Sequence, residues 1–222
     1  MKELKDWLYL FDDDAVLTVV ATMGRLFAKD DGHTYRHSLA VAHYAGLCAE
    51  AMQLPSRVIE EAVIVGLLHD IGKTTIERHV LAKGSDLTPA ETTELRDHTR
   101  AGEDILRALP RFMAISRAVR AHHERWDGQG FPDQLSGTQI PIAARLVTVA
   151  DAFDVMTGGP PDRPGMSVDA ALAELAANRG QMYDPDITTC FIELVQTSGS
   201  PLPSQPATAR KALRQADVAV YH

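Results

Sequence analysis

Apolar residues recur every three to four positions along most of this chain, in runs separated by Pro, Gly, Asp and Ser where helices start and stop. Val16, Val19, Val20, Met23, Leu26 and Phe27 predict a first helix that begins at Asp12 to Asp14 and ends at Asp30-Asp31-Gly32. A second begins near His33, runs through Leu39, Val41, Ala45 and Leu47, and breaks at Pro55-Ser56. It carries His33 and His37 one turn apart on one face. The third spans Arg57 to His69, where Val58, Ile59, Val63, Leu67 and Leu68 make it apolar nearly all round. Such a helix is buried on every side, so it is expected at the centre of the domain, delivering His69 and Asp70 from its C-terminal end.

Thr88-Pro89-Ala90-Glu91 combines a capping box with Pro at the first helical position and starts a helix that is expected to carry His98. Further helices are predicted from Arg111 to His122, from Pro141 to Thr157 with Asp151 and Asp154, and from Val168 to Asn178. A last one, Pro185 to Gln196, is started by Asp184. No alternating apolar/polar run of useful length competes with them and no fixed repeat occurs, so the fold class is all-α, a helical bundle. The stretch from Ser198 to Pro206 is rich in Ser, Pro and Gly and reads as a linker, followed by a short helix over Ala207 to Val220. The organisation is an N-terminal helical segment (1–30), one main domain (31–197) and a linker with a C-terminal tail (198–222).

At 222 residues the chain can bury the core of one large domain, and 45% hydrophobic with 23% charged residues is the balance of a globular protein. A net charge of −8 with no Lys/Arg-rich stripe argues against a nucleic-acid polymer as partner and leaves a small nucleotide open. Cys48 and Cys190 are too few for a disulfide framework and both read as buried free thiols. Met1 to Asp6 has no apolar signal core, and no run is long enough to cross a membrane. A reducing, cytoplasmic setting is expected.

The chemistry is concentrated in His69-Asp70-Ile71-Gly72-Lys73, His98, His122-His123 and Asp151. Imidazoles suit iron, manganese and zinc, and carboxylates can bridge metals. Several His with two Asp and no Cys argue against a structural zinc knot and for an open, hydrolytic site able to hold two ions. A lone His near a helix end is also favoured by the helix dipole, but here Gly72 follows, allowing a sharp turn that would point both side chains into one pocket. Neighbouring residues lie about 100° apart on a helix. His122 and His123 can therefore face one cluster only if the helix ends there, as the Gly-rich run from Asp127 to Pro132 suggests.

At these residues the chain resembles the HD-GYP family of HD-domain metal-dependent phosphohydrolases. The likeness runs from Thr34-Tyr35-Arg36-His37-Ser38 through His69 to Lys73, Leu81-Ala82-Lys83, Leu87-Thr88, His98, His122 to Pro132, Ile140-Pro141, Ala144-Arg145, Asp151-Ala152-Phe153-Asp154 and Asp184-Pro185. It covers about residues 30 to 197. The resemblance implies an all-helical domain with two or three divalent ions, iron or manganese, and phosphodiesterase activity on cyclic di-GMP that gives the linear dinucleotide pGpG and sometimes GMP. The ligands it implies are His37, His69, Asp70, His98, His122, His123 and Asp151, with Asp70 bridging. His33 stands where some members carry a Glu that recruits a third ion. His43, His79 and His222 match no motif position.

By the same resemblance Lys73 contacts a substrate phosphate and Arg163 faces the second one. Phe131 replaces the Tyr of the family name, keeping the ring and losing the hydroxyl. The stretch from Gly158 to Pro164 departs most from the pattern, with Pro160 where the family has a phosphate-gripping Arg, a contact left to Arg163 or Arg125. Asp127, or Asp154 one turn after Asp151, is a candidate to orient a ligand or protonate the leaving oxygen. A binuclear site of this kind activates a water for in-line attack on a phosphodiester, with Asp70 and Lys73 as the catalytic residues. A phosphohydrolase acting on another nucleotide, and a weakly active module that binds a cyclic dinucleotide, are the alternatives. With no sensory domain ahead of the motif, the expectation is that a second chain, a signalling partner protein or a homodimer, supplies regulation, or that nothing does.

Overall fold

The computed structural model describes residues 32–83, 86–158 and 165–198, apart from the side chains of residues 32–35, 111 and 198. The expected helices over 12–30 and 207–220, Pro160, Arg163, His222 and the side chain of His33 lie outside the described residues. The helices are α1 (Gly32–Ala51), α2 (Ser56–Leu68), α3 (Arg78–Leu81), α4 (Pro89–Arg96), α5 (His98–Arg107), α6 (Met113–Arg120), α7 (Ile142–Gly158), α8 (Val168–Ala177) and α9 (Pro185–Ser198). Short 3-10 turns at Ile71–Thr75, Pro110–Phe112 and Gly137–Gln139 link them. Among the described residues there is no strand; Arg179 and Tyr183 form an isolated bridge. The all-α expectation holds.

α2 is the central helix, as its pattern predicts. From Ala62 to Leu68 every residue is buried, and the helix packs on α1 and α7 while touching α6. Small residues on α1, with Ala42, Ala45 and Ala49 fully enclosed, let the two backbones approach closely. Tyr44 of α1, Phe153 of α7 and Phe191 of α9 then close the far side of the core, with ring centroids 5.2 to 5.7 Å apart. Aromatic edges meeting at such spacing add to the area they bury. Cys48 is buried as expected, whereas Cys190 is only partly so, and both are free. No helix among the described residues is long and apolar enough to cross a membrane.

The caps explain where the helices begin. Thr88 Oγ1 accepts from the Glu91 amide while the Glu91 carboxylate accepts from the Thr88 amide, the reciprocal capping box expected from the sequence. Asp184 Oδ1 accepts the amides of Asp186 and Ile187 at the head of α9, and its other oxygen lies 2.6 Å from Arg145 on α7.

Two boundaries differ from the sequence reading. The helix expected to run unbroken from Thr88 through His98 is interrupted at Asp97, so α5 starts at His98 itself. Across this break the His98 ring bonds the Leu95 carbonyl through Nδ1, at 2.6 Å. The helix expected from Arg111 to His122 is also shorter, beginning at Met113 after a 3-10 turn and stopping at Arg120. His122 and His123 therefore sit in the turn beyond it.

Candidate metal centre

Five elements deliver the centre. α1 contributes His37, the end of α2 contributes His69 and Asp70, the first residue of α5 is His98, the turn after α6 carries His122 and His123, and α7 carries Asp151. The rings form one continuous group. Centroids lie 5.2 Å apart for His37 with His69, for His69 with His122 and for His98 with His122, and 5.1 and 4.0 Å apart for His123 with His98 and His122.

One device orients three of the imidazoles. His69 Nδ1 bonds the Gly66 carbonyl at 2.8 Å, His98 Nδ1 that of Leu95 at 2.6 Å, and His122 Nδ1 that of Val119 at 2.6 Å. In each case the acceptor is the backbone oxygen three residues earlier. A carbonyl can only accept, so each Nδ1 carries the hydrogen and each Nε2 offers a lone pair. Those lone pairs point inward. His69 Nε2 is buried with no hydrogen-bond partner, and His98 Nε2 lies 3.3 Å from His122 Nε2. Two neutral acceptors face to face inside a protein need a cation between them, and a buried orphan nitrogen needs one too. The donor set fits divalent metal ions.

The ligand atoms fall into two triplets, His37/His69/Asp70 and His98/His122/His123, each with its atoms within 4.8 Å of one another. Asp70 lies between them. Its Oδ2 is 3.5 Å from His69 Nε2, and its Oδ1 is 3.6 Å from His98 Nε2. One carboxylate thus turns an oxygen to each triplet, the disposition a bridging ligand requires.

Electrostatics prepares the donors. Burial, reinforced by neighbouring imidazoles, holds His122 well below the ordinary imidazole range. Burial likewise lowers His98 and brings His123 to about 4, so these rings are neutral at neutral pH. Burial opposes the charge of Asp70, but Lys73 and the rings of His69, His37 and His98 outweigh it and keep the carboxylate ionised. Burial also opposes the charge of Asp151, yet the His37 hydrogen bond and nearby imidazoles bring it down to about 2.

His37 is the exception. Burial again works against its charge, but hydrogen bonds to Asp151 and Asp154 push it up to about 10. Its Nε2 is 3.1 Å from Asp151 Oδ1 and its Nδ1 is 2.7 Å from Asp154 Oδ2. A proton and a metal ion are alternatives on Nε2, both answering the Asp151 charge. Of the two acids named in the sequence, Asp154 is the one whose carboxylate bonds His37. Asp127 instead grips Arg125 through both oxygens, at 3.0 and 2.6 Å. That fork commits Arg125 as well.

Lys73 places Nζ 2.6 Å from Asp70 Oδ2, with about a third of its side chain exposed at 32%. Burial disfavours its charge, but Asp70 and Asp151 more than compensate and raise its pKa. Gly72 has a different role from the sharp turn expected of it. A Cβ there would fall on the His98 carbonyl oxygen and 2.7 Å from the Gly102 amide nitrogen. Its missing side chain lets the segment after the His-Asp pair press against the start of α5, which brings His98 up to Asp70.

The loop beyond His123 is built to hold a ring. The buried Glu124 carboxylate accepts the amides of Asp133 and Leu135 at 2.7 and 3.1 Å, while Arg120 forks Asp133 at 2.6 and 2.7 Å. Gly130 lies so close to Glu124 that a Cβ would stand 2.5 Å from its Cα. Phe131 emerges stacked on His123, centroids 4.9 Å apart and planes 29° apart. Arg96 lies over the same phenyl ring, its guanidinium carbon 5.0 Å from the centroid. Neither the carbonyl anchors nor the Arg96 contact had a signal in the sequence, because both depend on backbone placement.

A profile of the HD domain family matches residues 21–187. The cyclic di-GMP phosphodiesterase response regulator RpfG of Xanthomonas campestris is 37% identical over 168 residues, covering 75% of this chain and 44% of that protein. A cyclic di-GMP phosphodiesterase of Thermotoga maritima is 32% identical over 206 residues, covering 87% and 56%. The 3'3'-cGAMP-specific phosphodiesterase 3 of Vibrio cholerae is 34% identical over 183 residues, covering 82% and 39%. This chain spans about half the length of these curated relatives. In fold it is similar to a cyclic GMP-AMP specific phosphodiesterase of V. cholerae, with TM-score 0.60 and 21% identity over 81% of this chain and 50% of that one. The HD domain of the L. monocytogenes phosphodiesterase PgpH in complex with cyclic-di-AMP gives 0.57 and 16% over 78% and 93%. With the family profile covering most of its length and the His-Asp pair at the heart of the cluster, the chain belongs to the HD domain family.

Proposed function

We propose that this chain holds two divalent metal ions, iron or manganese, and hydrolyses cyclic di-GMP to linear pGpG, with GMP as the product of any second cleavage. Residues 31–197 form the phosphohydrolase domain in this reading. The observation that carries it is the pair of donor triplets joined by Asp70, in which three imidazoles have Nδ1 tied to the backbone and Nε2 turned inward. The relatives named as cyclic di-GMP phosphodiesterases support the substrate.

In this reading His37, His69 and Asp70 hold one ion, His98, His122 and His123 the other, and Asp151 completes the set beside His37. When bound, such ions supply positive charge to the phosphoryl oxygens and make a water nucleophilic at neutral pH. The chain's own groups do the rest. Asp70 spans the two triplets and fixes their separation, while Asp154 keeps the His37 ring in one orientation through Nδ1. Lys73 stays protonated beside Asp70 and donates to a non-bridging oxygen as negative charge builds there. Phe131 shields one side of His123 from water.

The relatives specific for 3'3'-cGAMP favour a second reading, the same chemistry on a mixed cyclic dinucleotide. One experiment separates the two. Protein reconstituted anaerobically with iron or manganese is incubated with cyclic di-GMP, 3'3'-cGAMP, cyclic di-AMP and linear dinucleotides, and the products are chromatographed. Preferential conversion of cyclic di-GMP to pGpG is the expected result. Preference for 3'3'-cGAMP moves the assignment to the second reading, and no turnover of any of them defeats both.

A further inference from the structure

Several cations on the elements that carry the centre pair with carboxylates. Arg100 lies 2.8 Å from Asp97, Arg120 2.6 Å from Asp133 and Arg125 2.6 Å from Asp127. Arg96 is exposed and pairs with no carboxylate among the described residues. It ends α4 two residues before His98, and its guanidinium lies over Phe131, the ring stacked on His123. A guanidinium, a phenyl ring and an imidazole of the centre thus form one packed series.

A cation in the last turn of α4 also suits the helix dipole. That preference asks only for positive charge near the helix end and does not seat a guanidinium over a ring packed on the metal centre. The aromatic face attracts the guanidinium and restrains it. Its N–H groups meet no carboxylate among the described residues, and a guanidinium fork matches two oxygens of one phosphate. A cyclic dinucleotide carries two phosphates on opposite sides of one macrocycle. With one at the donor triplets, the other must lie toward the rim.

We propose that Arg96, seated over Phe131, binds the second phosphate of the cyclic dinucleotide and so favours cyclic dinucleotides over ligands with a single phosphate. This rests on the phosphodiesterase reading above. The contact is to phosphate, so it is blind to the base.

Dissociation constants of cyclic di-GMP and cyclic di-AMP are measured by calorimetry on manganese-loaded parent, Arg96→Ala and Arg96→Lys proteins, with metal content and melting temperature recorded for each. Arg96→Ala is expected to weaken both dinucleotides equally, by about 10- to 100-fold, the loss of one charge-assisted contact. Arg96→Lys, which keeps charge without the planar fork, falls between. Metal content and melting temperature stay at parent values. A loss confined to cyclic di-GMP assigns Arg96 to the base and overturns the phosphate contact, as does a loss accompanied by metal depletion. Unchanged binding in a parent that binds tightly defeats the contact alone. A parent that binds neither dinucleotide defeats the substrate reading, and this contact with it.

Discussion

His98 Nε2 stands 3.3 Å from His122 Nε2, and each ring has its other nitrogen committed to a carbonyl three residues earlier. Neither ring can turn away without leaving a buried backbone oxygen unpaired, so the two lone pairs are locked toward one point. Protein purified without chelators is therefore expected to carry at least two divalent ions per chain by elemental analysis. Removing them should lower the melting temperature, and adding manganese should restore it in a concentration-dependent way, because a ligand that binds only the folded state stabilises it by mass action. One ion or none after anaerobic reconstitution rules out the binuclear reading.

Asp154 tests how far the centre depends on groups that touch no metal. Its carboxylate is 2.7 Å from His37 Nδ1, and partners of this kind fix ring orientation and raise ligand basicity. Asp154→Ala is expected to weaken metal binding by about 10- to 100-fold, measured by competition with a chelating indicator. Asp154→Asn keeps an oxygen that can accept from Nδ1 and should lose less. Equal losses in the two variants would mean that charge, not orientation, is what His37 requires.

The helix order and the ligand types were legible because both are written in residue chemistry. Apolar spacing marks α1, α2 and α7, the Thr88 and Asp184 caps mark the starts of α4 and α9, and His and Asp announce a metal site. What stayed hidden is set by where the backbone goes. The break at Asp97 could not be seen, since the segment from Pro89 to Arg107 has no Gly or Pro inside it apart from Gly102. The need for Gly72 was visible but its cause was not: bare sequence cannot tell a turn from a close contact with another helix. Arg96 falls inside the helix expected from Thr88 through His98 and carries no signal of its own, and only the folded loop from Glu124 to Asp133 brings Phe131 under it.

Gly72→Ala should show the cost of that close contact. The added methyl meets backbone, the His98 carbonyl and the Gly102 amide, which cannot rotate aside as a side chain would. Overpacking of this kind costs about 1–3 kcal/mol, and here it also pushes His98 away from Asp70. A lower melting temperature together with reduced metal content is expected. Full metal content in a destabilised protein would show that α5 shifts without carrying His98 out of place.

Lys73→Ala separates catalysis from assembly. The ions proposed at the two triplets would neutralise Asp70 in the loaded protein, so loss of the ammonium should leave metal content intact. Activity should fall by on the order of 10²-fold, because a charge aimed at the phosphate in the transition state is removed. If metal is lost along with activity, Lys73 serves Asp70 and not the substrate.

The pH dependence of chelator-stripped protein follows from the opposite shifts within the cluster. His98, His122 and His123 lie below the ordinary imidazole value, His123 at about 4. The unfolded chain therefore binds protons at about pH 6.5 that the folded one refuses. Stability is lost as pH falls from there toward 4. The ionised Asp151, at about 2, adds a further loss at still lower pH. His37, at about 10, works the other way: its contribution is complete below the unfolded value near 6.5 and disappears as pH rises through 10. Stripped protein should thus be most stable near the ordinary imidazole pKa and decline on both sides. Loading with manganese replaces the His37 proton and should flatten the alkaline limb, and His37→Gln should remove that limb from the stripped protein. Thermal melts across pH, on stripped and loaded samples of both proteins, measure this directly; an alkaline decline that survives His37→Gln would assign it to another group.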